Sequence, residues 1–214
     1  MTYAGDMSNA FPAQDQWQAL ASCGFQQWFA GTWVEGDDPE EIARLLRVDP
    51  DSAERCDLGS AMRWYEPMAF KEMVWIGEHA PGWTHVISIS GPPLTTRDLA
   101  AAGRRFMQVI WYADGIGVHD LVYGDGRAVG ALSPLDIRNV PQGSMFDGYN
   151  GGLPSHWGIV DFSTTGPARP VGTLKLWLDN WFCLVGRITG RFIDRDWLNA
   201  TRTLYRIPLG TIIR

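Results

Sequence analysis

The sequence predicts an α+β protein, a five-stranded antiparallel meander sheet with helices packed on one face. Two observations lead there. Between Met73 and Leu132, short apolar runs rich in Val, Ile, Trp and Tyr are separated by turn residues, the signature of consecutive strands. Outside that stretch, apolar residues recur at helical spacing, as in Ile42, Leu45 and Leu46 or Leu174, Trp177, Leu178, Trp181, Phe182 and Val185.

Residues 1–13 read as a mobile N-terminal arm, and residues 14–214 as a single domain with a Gly/Pro-rich loop insertion at 136–170. From Asp15, the positions Trp17, Leu20, Ala21, Gly24 and Trp28 suit one helix, with Gly31 as its end signal. The next helix carries the clearest start. Asp38 is an N-cap, Pro39 suits the first helical position, and Glu40 and Glu41 meet the positive end of the helix dipole. Pro50 stops it. Asp57 to Tyr65 can form a short helix that Pro67 ends.

The first strand of the meander ends at Glu78, and His79 to Gly82 reads as a turn. The second strand alternates Trp83, His85, Ile87 and Ile89 with Thr84, Val86, Ser88 and Ser90. Such alternation predicts one face toward helices and one nearer water. Thr96 can cap a short helix through Leu99 and Ala102. Strands three and four flank Asp114 to Gly117, and strands four and five flank Gly124, Asp125 and Gly126, a tight hairpin by its chemistry. Pro134 closes the meander. Within 136–170, Ile159 to Phe162 can add a short edge strand. After Val171 a long helix runs to Thr189 and Gly190, a brief helix capped by Asp194 follows, and Leu204 to Pro208 is a last strand or extended tail.

Eleven Trp in 214 residues are unusual. They either fill the core, each indole N–H finding an acceptor, or wall a ligand pocket. Net charge is −6, unevenly spread. Residues 1–60 hold eleven acids against Arg44, Arg47 and Arg55, whereas the tail from Arg191 holds five Arg against Asp194 and Asp196. The two ends can attract each other within one molecule or pair two copies. An acidic front argues against nucleic acid as a partner, because phosphate binding rests on clustered Lys and Arg. Cys23, Cys56 and Cys183 lack metal-type spacing and read as reduced thiols of a cytoplasmic protein. The N-terminus, without a basic or an apolar stretch, does not read as a secretory signal, and no apolar run approaches membrane-spanning length.

No nucleophile elbow, phosphate loop or His-Glu-x-x-His is present, so no catalytic residues, cofactor or metal are assigned. His79 and His85 can approach each other across a turn, but metal would need a third ligand such as Glu78 or Asp120. Glu78 beside His79 is a candidate acid–base pair, weighed against a strand end in water. The stronger binding candidate is the loop cluster Phe146, Asp147, Tyr149, Asn150, His156 and Trp157. Glycine-rich backbone approaches partners closely, and aromatic and polar side chains suit recognition; a loop merely packed over the sheet is the competing account.

Four segments together resemble an actinobacterial domain family of unknown function. They are Gly36 through Leu46; Ile76-Gly77-Glu78 with Gly82-Trp83-Thr84; Val109-Ile110-Trp111 with Tyr123 through Arg127; and Ile188-Thr189-Gly190 with Asp196-Trp197-Leu198. In that order they span about residues 28 to 207. The chain departs from the pattern at Tyr112 to Gly115, where the family often has an Asn-rich step, and at the insertion 136–170. The resemblance implies a small cytosolic α+β domain and carries no catalytic residues.

The leading expectation is a non-catalytic interaction module, of the immunity or defence-accessory kind, recognising a protein through the aromatic loop. The alternative is a small-molecule-binding protein or enzyme, with Trp83, Trp111 and Trp157 around a pocket between sheet and loop. Self-association through the acidic front and basic tail is the third reading. Membrane partners are not expected.

Overall fold

The computed structural model describes residues 7–112, 117–118, 120–133, 137, 140–154 and 171–208. His119, the Asp114 turn, Pro134, His156, Trp157 and the edge strand expected from Ile159 to Phe162 lie outside them.

The architecture is α+β with an open, largely antiparallel sheet, but the sheet is wider than a five-stranded meander. In chain order the elements are α1 (Gln16–Ser22), β1 (Trp28–Glu35), α2 (Pro39–Leu45), β2 (Asp49–Cys56), α3 (Leu58–Ala61), β3 (Glu66–Pro67), β4 (Glu72–Ala80) and β5 (Trp83–Gly91). There follow α4 (Arg97–Ala101), β6 (Arg105–Tyr112), β7 (Gly117–Val118), β8 (Leu121–Asp125), β9 (Val129–Leu132), α5 (Val171–Thr189), α6 (Arg195–Asn199) and β10 (Arg202–Ile207). Among the described residues the sheet path is β2-β10-β4-β5-β1-β6-β8-β9, with β3 parallel to β5 and β7 against β6 at the side.

The largest correction is β1. The helix expected from Asp15 to Trp28 stops at Ser22, because Gly24, not Gly31, takes the left-handed conformation, with φ +109°. Asp15 caps the helix by accepting the Gln18 N–H. The run from Trp28 to Val34 then extends as a strand buried on both sides. It inserts between β5 and β6, pairing Thr32 with Val86 and with Gln108. A continuous apolar run carries no period that separates a buried strand from a helix, and its Trp, Phe, Thr and Val content favours the strand.

Helices cover both faces of the sheet, not one. On the first face α1, α3, α5 and α6 enclose Trp33, Trp75, Ile87, Val109 and Leu204. On the second, Ile42 and Ala43 of α2 and Leu99 of α4 pack on Val34, Val74, Ile76, Val86 and Phe106. The alternation read for β5 is therefore right in direction and wrong in its environment. Val86 enters the second core, and every residue of the strand is buried. Two of its hydroxyls find backbone acceptors: Thr84 Oγ1 donates to Gly36 O at 2.8 Å and Ser90 Oγ to Lys71 O at 2.7 Å.

The tail is a true strand. β10 lies between β4 and β2, setting Arg206 opposite Asp49 and Leu204 opposite Glu54. Acidic front and basic tail thus meet within one molecule. β2 is the exposed edge of the sheet, and its charged residues suit a position that must resist pairing with another chain. No helix among the described residues is long and apolar enough to cross a membrane.

The long helix α5 is wrapped on nearly all sides from Asn180 to Arg187. A Cβ at Gly186 would overlap the Phe192 ring. Gly186→Ala is expected to destabilise the protein by about 1–2 kcal/mol, overpacking outweighing the gain in helix propensity, as urea denaturation would read.

Candidate functional site

The polar centre of the molecule is His79. The strand expected to end at Glu78 runs on to Ala80, and the turn contracts to Pro81 and Gly82, with Gly82 at φ +80°. His79 therefore keeps the alternation of Trp75 and Gly77 and points into the first core, where it is fully buried. The indoles of Trp33 (β1) and Trp197 (α6) both donate to its Nδ1, at 3.2 and 2.8 Å. An Nδ1 that accepts cannot carry the proton, so the ring is the Nε2–H tautomer. Nε2 faces Thr189 Oγ1 and Arg191 O, each at 3.0 Å. Arg191 returns a bond from its guanidinium to His79 O at 3.1 Å.

His85 lies beside it, with ring centroids 6.3 Å apart, wedged between Trp75 and Trp197. Neither of its ring nitrogens makes a hydrogen bond among the described residues, although the Glu78 backbone carbonyl is its polar neighbour. Burial drives the His79 pKa down to about 3 and that of His85 well below its ordinary value, and Arg191 and Arg202 add to the effect. The pair is neutral and sealed from solvent. A general acid or base must reach its substrate, and these rings do not. No group of three or more His, Cys, Asp or Glu among the described residues is arranged for a metal. Glu78, in contrast, is exposed. It faces a polar cleft of about 390 Å³ between α2, β4 and β10 that Arg55 and Arg202 also line.

The loop cluster divides. The Phe146 ring is fully buried and meets Tyr123 edge to face at 4.9 Å, so it belongs to the core. Asp147 is exposed and accepts the Gly143 N–H at 2.9 Å, closing a turn. Tyr149 is half-buried against the core, and Asn150 donates to Ile137 O at 3.2 Å. Trp83 and Trp111 are buried in the first core, Trp111 against Trp17 at 4.5 Å.

The residue that organises this loop is one the sequence did not single out. Arg187 of α5 is only 1% exposed. It donates to Tyr149 O at 2.6 Å, Gly151 O at 2.8 Å and Ala10 O at 2.7 Å, and lies under the Phe11 ring at 4.6 Å. It ties the N-terminal segment and the loop to one helix. The available signal was a lone Arg inside an apolar stretch of a long helix.

Two further features among the described residues are open to solvent. Residues 64–71, between α3 and β4, expose Phe70 at 92%, Met68 at 64% and Trp64 at 46%. The segment is held in place: Met68 sits at φ +63°, its N–H bonds to Gly91 O at 3.0 Å, and Lys71 stands 4.8 Å over the Trp64 ring. The second feature is a cleft of about 330 Å³ between residues 11–16, Leu153, Pro154 and one side of α5. There Lys175 Nζ bridges Asp15 and Asp179 at 2.7 Å each. Burial holds the Asp179 carboxyl above its usual range against the pull of Lys175. At Asp15 burial is outweighed by Lys175 and the Gln18 N–H, and the net direction is down.

Comparison with models of known protein families, with curated proteins and with solved structures finds no match.

Proposed function

We propose that this chain is a non-catalytic interaction module that recognises a protein partner, and that residues 64–71 make the contact. The observation carrying this reading is exposure. Of the five large hydrophobic residues exposed among the described residues, Trp64, Met68 and Phe70 fall within seven positions. Single exposed apolar side chains are ordinary; a cluster of large ones is what an interaction surface presents. Met68 holds a left-handed backbone that L-residues adopt at a cost, and strain of that kind collects where a segment must be presented in one shape. Ser90 Oγ donates to Lys71 O at 2.7 Å, and the Glu66 backbone pairs with Ser90 itself, so the segment is held to β5 at two points.

Charge selects the kind of partner. Arg63 and Lys71 are balanced by Glu66 and Glu72, so the segment lacks the basic surplus that phosphates or an anionic membrane would require. An apolar groove with a mixed polar rim, on another protein, fits it. The two histidines, sealed and neutral, supply no acid–base group, which favours recognition over catalysis.

The double variant Met68→Ser, Phe70→Ser tests the assignment. Thermal stability should stay within about 0.5 kcal/mol of the parent, since both side chains are in water. A partner that co-purifies with the parent and crosslinks to this segment should be lost from the variant. Equal recovery of that protein by both would remove the segment from the contact, and flotation with neutral liposomes by the parent alone would point to a lipid surface instead.

A further inference from the structure

We propose that the β9 edge of the sheet pairs with the same edge of a second copy of this chain, strand against strand and antiparallel. This does not rest on residues 64–71. Among the described residues the sheet path ends at β2 on one side and at β9 on the other, and the two ends are built differently. β2 carries Asp49, Asp51, Glu54 and Arg55, charges that keep an edge from pairing. β9 is Val129, Gly130, Ala131 and Leu132, with no charge, proline or bulge to block a partner. Val129 is one of the five large hydrophobic residues exposed among the described residues, at 53%, and Ala131 is exposed on the same face.

The hairpin decides which backbone groups point outward. The Asp125 N–H bonds to Ala128 O at 3.2 Å. Hydrogen-bonded pairs alternate from there, so Tyr123 and Gly130 bond to each other, as do Leu121 and Leu132. Val129 and Ala131 fall between them, and their N–H and C=O groups point away from β8. Strand groups left open in this way are a template for another strand.

The occupant is a second copy because the edge complements itself. An antiparallel pair about a two-fold axis at Gly130 sets Val129 of each copy opposite Ala131 of the other, N–H meeting C=O in both directions. Gly130 then faces its own counterpart at the close, non-hydrogen-bonded position, where Cα atoms approach to about 4.5 Å, and it brings no side chain. A Cβ on Gly130 would stand 2.6 Å from Tyr123 Cζ, so the Tyr123 ring gives the cover that a side chain would otherwise provide. On the other face Val129 and Ala131 of the two copies make one apolar row, in which no like charges meet. β2 offers no such match, since its acids would be brought together.

Sedimentation equilibrium from about 5 to about 500 µM chain tests this. The mass of the parent should rise from 23.9 kDa toward twice that, with Kd between about 10 µM and about 1 mM, as suits so short a contact. The rise should persist in about 0.5 M salt, since no charge takes part. Val129→Lys should weaken the dimer at least about fivefold, because the change enters the contact twice, and so should Ala131→Glu. An equimolar mixture of those two variants should regain association, since this register sets the new Lys opposite the new Glu. The Met68→Ser, Phe70→Ser variant should associate as the parent does. Amide exchange read residue by residue needs no variant: the N–H groups of Val129 and Ala131 should exchange more slowly as concentration rises. A parent that stays monomeric throughout, a dimer lost in salt or in the Met68→Ser, Phe70→Ser variant, a mixture that gains nothing, or exchange at Val129 and Ala131 that ignores concentration would each overturn the proposal.

Discussion

His79→Ala is expected to destabilise the fold by about 4–6 kcal/mol, a large part of the whole stability of a domain this size. The indoles of Trp33 and Trp197 would lose the acceptor they share, and each orphaned, buried N–H costs about 1–3 kcal/mol. The imidazole also leaves a cavity where β4, α5 and α6 converge, and rigid neighbours close such cavities only in part. The loss would reach distant elements, because His79 joins β1, β4, the end of α5 and α6 through four hydrogen-bond partners. Urea denaturation followed by tryptophan fluorescence would show a lower midpoint. Should the alanine variant not fold, Trp33→Phe removes one donor and keeps the acceptor, and is expected to cost about 1–2 kcal/mol. A midpoint unmoved in both variants would mean that the centre contributes nothing to stability.

How far that centre can be read from sequence turns on two residues of strand length. With the strand ending at Glu78, His79 falls in a turn and looks solvated. With the strand reaching Ala80, it continues the face of Trp75 and becomes the hub. Pro81 and Gly82 make a tight turn on their own, which the wider window from His79 to Gly82 obscured. Elements with local chemical signals are legible: Asp38 and Pro39 start α2 where expected, Asp194 caps α6, and Asp125 accepts the N–H groups of Arg127 and Ala128 at its hairpin. The order of strands is not local. The pairing of β1 with β5 and β6, and of β10 with β2 and β4, joins segments far apart in the chain, and propensity is silent about which edge a strand joins. The same holds for the candidate sites. Phe146 is aromatic in a glycine-rich loop, but whether its ring faces water or Tyr123 depends on Arg187 drawing the loop onto α5. Phe70 carries no motif; its exposure follows from Glu66 and Pro67 pairing with β5, which turns the next residues outward.

Acid should unfold this protein from the histidine range downward, not only from the carboxylate range. His79 and His85 are neutral in the native state, with pKa values depressed from 6.5, that of His79 to about 3. In the unfolded chain both recover ordinary values. Below pH 6.5 the unfolded state therefore binds protons that the native state refuses, and stability falls as pH falls until the native pKa is reached. A histidine held neutral in the native state contributes about 1.4 kcal/mol per pH unit once the unfolded chain titrates, so His79 alone would remove about 2 kcal/mol over the first two units below 6.5, and His85 acts in the same direction. The charges around the pair reinforce the direction, since Arg191 and Arg202 oppose a further cation and Asp194 only partly offsets them. The structure separates this from general acid lability. His85 makes no ring hydrogen bond among the described residues, so His85→Leu removes a titrating group at little polar cost. Its dependence of stability on pH between 6.5 and 4.5, measured by urea denaturation, should be shallower than the parent's. A parent flat across that interval would mean that the native protein gains protons there just as the unfolded chain does, and the two rings would then be open to water in the native protein.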